Sequence, residues 1–400
     1  MNATRATSHR ASARPGRPCA GPILVLAIGL LGILGPRSTA AQTRTVVEDP
    51  ICYRSWSIGE GLATKELDAS QFVVPVSVYA RLGSRVDLTT SISAGGSSLD
   101  PRVGSTTRLN GVTSVISQLF VRFADDHALL QTGVTLPSGT HALEPSEVAV
   151  WEVMSLPVLG FPLRHYGRGF EWNGGFSVAN RLGGSGSGSM GVGVVLRAPY
   201  ELIAGHEDYR PPSEFSVTTG FDLGAAAEGS GTRPLRVDAT YRVMGTHKEG
   251  GRKVLREGNQ LEVQASGARE TPGFAGGASV RVVAKGDFLP YDETGKALDK
   301  LQGSSGTSFS TRLVGARRMG TRSRIGIAGE WNLLRDGSGF AQNGHAFGLG
   351  PCLSCPLGSL LDLSFEGDYL WGSLDGVSGG ESIDLHGLSV VASLRWGGVK

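Results

Sequence analysis

Leu235-Arg236-Val237-Asp238-Ala239-Thr240-Tyr241-Arg242-Val243 reads with a period of two. Leu235, Val237, Ala239, Tyr241 and Val243 lie on one side, and Arg236, Asp238, Thr240 and Arg242 on the other. Successive side chains of a strand point to opposite faces, so this stretch is a strand with one apolar and one polar flank. The pattern recurs along the chain. Phe72, Val74, Val76, Val78 and Ala80 oppose Pro75, Ser77, Tyr79 and Arg81, and Val86, Leu88 and Ile92 oppose Arg85, Asp87 and Ser91. Leu261, Val263 and Ala265 oppose Glu262 and Gln264, and Val280, Val282 and Ala284 oppose Arg281 and Lys285. Ile325, Ile327, Trp331 and Leu333 oppose Arg324 and Glu330, while Leu361, Leu363, Phe365, Tyr369 and Trp371 oppose Asp362, Glu366 and Asp368.

Alternation leaves open what the apolar flank touches. In a two-layer sandwich it meets a second sheet, and in an outer-membrane barrel it meets lipid. Three features favour lipid. Many runs last ten to thirteen residues, whereas soluble strands average about five or six and a tilted membrane strand needs about 9–11. The connections alternate: short ones fall near 82–84, 125–127, 183–188, 227–233, 270–275 and 318–322, and long ones near 95–112, 137–168, 201–213, 246–259, 289–306 and 372–383. All long connections then lie at one end of an up-and-down sheet, as in outer-membrane barrels. The last run places Leu388, Val390, Ala392, Leu394 and Trp396 on one apolar side, a terminal strand of the kind barrel-assembly machinery reads, followed by the tail Gly397-Gly398-Val399-Lys400. An open apolar sheet of this extent would aggregate, and closure removes both edges. Tyr200, Phe215, Phe288 and Trp371 stand at strand ends and suit the aromatic girdles of a membrane interface.

The predicted fold is therefore all-β: a transmembrane up-and-down antiparallel β-barrel of about 14 strands. Counting Ile51–Ile58 as a strand gives sixteen, dropping the weak run Gly344–Gly350 gives fourteen, and twelve results if two hairpins lie outside the membrane.

Composition agrees. Of 400 residues 60 are glycine, without a period of three, so collagen is excluded. Charged residues make up 18% and the net charge is +2, which excludes a strongly charged nucleic-acid binder. A mean hydropathy of −0.04 without repeated long apolar runs counts against a bundle of membrane helices. The one apolar run, Ile23–Leu34, follows Arg5, Arg10, Arg14 and Arg17 and precedes Ser38-Thr39-Ala40-Ala41. This layout predicts a cleaved signal peptide over 1–41 and export from the cytoplasm of a Gram-negative cell. The barrel would occupy 42–400, with 42–69 as an N-terminal segment or first strand. Cys19 precedes the apolar run and is badly placed for a lipid anchor.

Cys352-Leu353-Ser354-Cys355 is a Cys-x-x-Cys pair with no second pair or His-x-x-x-His to complete a zinc site. It reads as a local disulfide or as two thiols in a turn, with Cys52 left over. No metal and no cofactor are expected.

The polar flanks carry both signs. Candidates for the lumen wall are Arg122, Arg197, Arg236, Asp238, Arg242, Glu262, Arg281, Lys285, Arg324, Glu330, Asp362 and Glu366. They form either a paired wall that stabilises the interior or a constriction with charges opposed across a pore. The near balance argues against strong ion selectivity. The connection 137–168 is the least polar. Glu144-Pro145-Ser146-Glu147 before Val148, Val150, Trp151, Val153 and Met154 predicts a short capped helix, and Leu156–Leu163 is apolar with two prolines. This loop folds into the barrel and constricts it through Trp151, Leu156 and Phe161, binds an apolar solute at the entrance, or packs on its own rim.

The hairpin Tyr79-Ala-Arg-Leu-Gly-Ser-Arg-Val-Asp-Leu-Thr89 resembles a hairpin of the outer-membrane family named for the phenol-degradation meta-pathway. Gln131-Thr-Gly-Val-Thr-Leu-Pro-Ser-Gly-Thr140 is similar to that family's strand end, with Thr140 and His141 where an acidic residue often falls, and Leu370-Trp371-Gly372 is similar too. The layout matches over most of the chain after 41. The resemblance, shared with long-chain fatty-acid transporters, implies a β-barrel passing hydrophobic or small organic solutes. It supplies no ligand, and only Leu136-Pro137-Ser138-Gly139 carries over, as a structural element.

An enzyme is not expected. His141, His165, His206, His247 and His386 are scattered and no Gly-x-Ser-x-Gly, His-Glu-x-x-His or phosphate loop occurs. The glycine-rich 183–189 run has no helix after it and reads as a turn. The expected function is an outer-membrane channel for passive passage of small organic solutes, hydrophobic or not, of unknown identity. Its partners would be outer-membrane lipid and, during biogenesis, barrel-assembly machinery, with no nucleic acid. The alternatives are a structural or adhesive surface protein and a rim hydrolase.

Overall fold

The computed structural model describes residues 42–44, 50–59, 67–101, 103–139, 142–182, 186–223, 233–300, 305–320, 323–336, 341–357, 361–376 and 382–396. The predicted signal peptide with Cys19, the tail 397–400 and His141 lie outside them.

Sixteen strands pair side by side into a closed antiparallel ring. They are β1 (Ile51–Ile58), β2 (Leu67–Arg81), β3 (Val86–Pro101), β4 (Val115–Phe123), β5 (Ala128–Leu136), β6 (Glu171–Arg181), β7 (Gly186–Arg197) and β8 (Glu214–Leu223). Then follow β9 (Arg233–Met244), β10 (Gln260–Glu270), β11 (Phe274–Lys285), β12 (Gly306–Met319), β13 (Ser323–Arg335), β14 (Ala341–Pro356), β15 (Leu361–Gly376) and β16 (Ser382–Trp396). β1 closes the ring, with Tyr53 opposite Phe72 of β2 on one side and Val390 of β16 on the other. Closure of this kind leaves no free edge and pairs the backbone within the sheet.

The count is sixteen, not about fourteen. Ile51–Ile58 is a full strand, and Gly344–Gly350 lies inside β14, in register with Ala328–Leu334. Glycine weakens the side-chain pattern, but a ladder between two paired neighbours needs only the backbone. Two long connections are shorter than expected for the same reason. β3 runs through Gly95 and Gly96 to Pro101, and Thr107–Val112 pairs back onto it before the chain continues into β4. β15 likewise runs on to Gly376. Short turns gather at one end of the barrel and the longer connections at the other. At the long end Tyr209–Arg210, Thr246–Glu249, Arg252–Arg256 and Leu289–Pro290 form a separate four-stranded sheet.

One flank of every strand points outward. Phe72, Met190, Phe215, Leu235, Leu261, Ile327 and Leu388 are all exposed large apolar residues on it. Near the long-connection end a run of rings crosses β12 to β15: Phe309 and Trp331 at 4.9 Å, Trp331 and Phe347 at 5.7 Å, and Phe347 and Trp371 at 5.9 Å. Of the four aromatics expected in a girdle, Trp371 belongs to this run and Phe215 is exposed on the outer flank. Tyr200 instead packs edge-on against Tyr209 in the mouth of the barrel.

Cys352 and Cys355 are free thiols within β14, not a disulfide in a turn. Three positions apart on a strand, they point to opposite faces and cannot meet.

Candidate functional site

The site is the inner face of the barrel together with the loop folded into it. In β1 the inward positions are Arg54, Trp56 and Ile58, all buried. The loop from 142 to 170 supplies what buries them. It contains helix α1 (Val148–Ser155) and a 3-10 turn, Pro157–Leu159. The Glu147 carboxylate accepts the Glu144 N–H at 2.8 Å and so closes the turn that leads into the helix. Val150, Val153 and Met154 share one buried helix face, at the spacing that brings side chains together on a helix. Pro157 ends the helix, and Gly160 closes the turn with φ of 62°, a left-handed conformation that favours glycine.

Side chains of the wall stitch the loop down. The Leu159 carbonyl accepts from Trp56 Nε1 at 2.8 Å and from Arg54 Nη1 at 3.0 Å. Gln71 of β2 clasps Leu163 twice, donating Nε2 to its carbonyl at 2.7 Å and accepting its N–H at 2.8 Å. Tyr166 O–H and Ser97 Oγ lie 2.7 Å apart. Around these bonds Val158 and Leu159 pack with Trp56, Ile58, Leu370, Leu374 and Leu385 in one buried apolar cluster. Burial of each such side chain is worth about 1.5–3 kcal/mol, so the loop is part of the folded interior. Leu156 and Phe161 are buried in this cluster and face the wall, whereas Trp151 packs against the cluster and also lines the cavity at the mouth. The chain past them alternates: Phe161, Leu163 and Tyr166 are buried, while Pro162 and Arg164 are exposed.

The loop contacts β2, β3, β13, β14 and the Thr107–Val112 segment. On the remaining wall, β6 to β11, a ladder of alternating charge crosses six neighbouring strands. Arg197 lies 2.9 Å from Glu171 and 3.5 Å from Glu214; Arg242 lies 3.1 Å from Glu214 and 2.6 Å from Glu262; Arg281 lies 2.6 Å from Glu262. Arg197 and Arg242 each bridge acids on the two flanking strands, which their fork of donors suits, and Arg281 ends the ladder on Glu262. Glu171 and Glu214 were not singled out in the sequence; they open their strands beside loops, where alternation has no flank to reveal it.

The other expected lumen residues fall into separate groups on the same face. Arg236 pairs with Asp238 at 2.7 Å on β9. Arg122 pairs with Asp87 at 3.0 Å. Glu330 pairs with Arg54 at 2.6 Å, across four strands, and Glu366 pairs with Arg312 across three. Arg324 and Arg318 share Glu270. Asp362 stands at the short-turn end of β15 on the Glu366 side, and Lys285 is exposed at the long-connection end of β11.

Two cavities follow the ladder wall at and near the mouth, and two more lie lower, the larger reaching from β10 to β16. One of about 220 Å³ sits at the mouth, among Trp151, Tyr200, Tyr209, Arg168 and Arg197. It shares Arg168, Glu171 and Arg197 with a second, of about 470 Å³, along β5 to β8. Toward the short-turn end, spaces of about 450 and 500 Å³ share Ala268, Gly277, Arg312 and Val314, and Cys352 lines the larger.

At the mouth Tyr209 O–H and His247 Nδ1 lie 2.5 Å apart, and His247 Nε2 is 2.8 Å from Glu257. Burial opposes the charge of Glu257, but His247, Lys285 and Arg197 outweigh it and lower its pKa. Burial pushes Tyr200 up to about 12. Both ring nitrogens of His247 are taken by these partners.

His165 gives the loop a pH dependence. Burial first, then Arg168, Arg164 and Arg197, push its pKa down to about 4, and its Nδ1 accepts the Trp151 Nε1–H at 3.3 Å. Above pH 6.5 the ring is neutral docked or undocked and contributes nothing. As pH falls from 6.5 the undocked ring gains a proton first, so docking weakens until pH reaches about 4. The loss approaches about 3 kcal/mol across that window, at roughly 1.4 kcal/mol per unit. Protease cleavage within 142–170 is expected to accelerate between pH 6.5 and 4, with a flatter response in His165→Gln; equal slopes would refute the assignment.

No known protein family's profile matches the chain, and no curated protein matches it. Solved structures similar to it include the outer membrane channel DcaP of Acinetobacter baumannii, at 13% identity over 90% of this chain and 99% of that one, with a TM-score of 0.41. Acinetobacter baumannii OccAB1 is similar at 9% identity over 90% and 100%, with a TM-score of 0.41. Pseudomonas putida OprB is similar at 9% identity over 88% and 94%, also at 0.41.

Proposed function

We propose that this protein is an outer-membrane channel through which small solutes pass passively, along the inner wall that the inward loop leaves uncovered. A closed ring of sixteen strands with an apolar outer flank suits lipid, and rings of this size leave room for an aqueous lumen. The single observation that carries the reading is the asymmetry of the interior. The loop is bonded to the β1–β3 and β13–β14 side, while a charged ladder and two linked cavities at the mouth follow the opposite side. Export by a signal peptide cleaved after 41, and assembly through the final strand, complete the proposal. Small organic solutes, as the resemblance of the Tyr79–Thr89 hairpin implies, are its finer form.

A surface-binding role has one observation in its favour, the four-stranded sheet at the long-connection end. A rim hydrolase has less, since His247 spends both nitrogens on Tyr209 and Glu257.

Planar-bilayer recording of the purified full chain tests the channel. In a Cys52→Ser background, a charged methanethiosulfonate reagent is expected to reduce the current by modifying Cys352, and Cys352→Ser is expected to ignore it. Absence of both conductance and solute flux in a folded, heat-modifiable protein would overturn the channel reading.

A further inference from the structure

Arg164 is the one exposed cation among the inward loop's residues 161–166. Its neighbours on either side are fixed: Leu163 by both backbone groups to Gln71, Tyr166 by its hydroxyl at Ser97. With those anchored to the wall, the alternation of buried and exposed positions turns Arg164 toward the open interior. The side chain is exposed to solvent yet surrounded by protein, as a group projecting into a lumen is. Its ionic neighbour across that space is Arg281, a cation. Gln71, which anchors the segment, is on β2, whereas Arg281 is on β11, nine strands further round a ring of sixteen. The two guanidiniums therefore stand on opposed sides of the passage.

The charge balance at this level is uneven. Within the ladder Glu171, Glu214 and Glu262 match Arg197, Arg242 and Arg281. Arg164 adds a charge without an acid of its own, whereas Lys285 on β11 faces Glu257. The loop's exposed acid, Glu152, sits back on the helix. Burial and Arg281 both act against the charge of Arg164, yet a guanidinium stays protonated at any physiological pH. An anion entering between the two cations relieves that repulsion, and a fork of donors binds carboxylate in two places at once.

We propose that Arg164 and Arg281 form a cationic passage that selects small carboxylate anions. This deepens the channel reading and rests on it. The near balance of charge over the whole inner face predicts little selectivity; the local surplus beside the inward loop overrides it, because charges beyond about 10 Å are screened at 0.1 M salt.

The test is the zero-current potential of the full chain in planar bilayers under a potassium chloride gradient. Chloride is expected to permeate several-fold better than potassium. Arg164→Gln is expected to bring the ratio close to one, Arg164→Glu to reverse it, and Arg164→Lys to keep it. Butyrate is expected to reduce chloride current in the parent and not in Arg164→Gln. Because Arg164 points away from the packed cluster, its variants should retain heat-modifiable migration. Arg281→Gln, on a different element, should lower the ratio as well. Current without anion preference, or a preference that Arg164→Glu leaves unchanged, overturns the proposal alone. A folded protein that carries no current overturns it together with the channel reading.

Discussion

Replacing residues 145–166 by a short Gly-Ser linker is expected to raise single-channel conductance several-fold. A helix with its side chains is about 10–12 Å across, so α1 and the turn after it fill much of the section that sixteen strands enclose. Their removal leaves the ladder wall untouched, since Glu171 to Arg281 bond among themselves and not to the helix. It also uncovers Trp56, Ile58, Leu370, Leu374 and Leu385 to water. The variant should therefore unfold at lower temperature while conducting better. Conductance unchanged in a folded deletion variant would show that the passage does not run beside this loop. Anion preference should fall in the same variant, because Arg164 goes with the loop.

That outcome depends on features of unequal legibility in the sequence. The barrel itself is readable from Leu235–Val243 and its repeats, because a strand's period is local: each residue reports its own face. Register between strands is not local. The ladder joins Glu171, Arg197, Glu214, Arg242, Glu262 and Arg281 only because six strands align at one height. Arg197, Arg242, Glu262 and Arg281 were legible as inward charges, but their pairing was not. Gly344–Gly350 shows the converse, since a glycine-rich run hides a strand whose neighbours hold it. In the loop, the helix at Val148–Ser155 was legible from Glu144-Pro145-Ser146-Glu147, and its destination inside the barrel was one of three readings. What no local pattern gave was the direction of its apolar groups. Leu156 and Phe161 face the wall because Trp56 and Ile58 of β1 wait there, and that pairing spans about a hundred residues. A period of two within Phe161–Arg164 was the available signal for the exposed arginine.

Arg54→Ala is expected to release the loop while leaving the barrel closed. Arg54 is 7% exposed and donates to the Leu159 carbonyl at 3.0 Å and to Glu330 at 2.6 Å. Removing it leaves Glu330 beside Asp368 and Glu366 without its cation, on a half-covered wall. Breaking a buried ion pair by deleting one partner costs about 3–5 kcal/mol, at the upper end where the survivor is enclosed. Trp56→Phe removes only the second donor to the same carbonyl, a loss of about 1 kcal/mol. Arg54→Lys keeps the charge but cannot span both acceptors with one planar group, so it should fall between the two. The ladder of effects separates charge from geometry: protease cleavage in 142–170 should rise most in Arg54→Ala, less in Arg54→Lys and least in Trp56→Phe. Gly160→Ala should approach Arg54→Ala by the opposite route, since a Cβ there meets the Arg54 guanidinium and the left-handed backbone disfavours it. If cleavage in Arg54→Ala matches the parent, the apolar cluster alone holds the loop, and Arg54 serves only to neutralise Glu330.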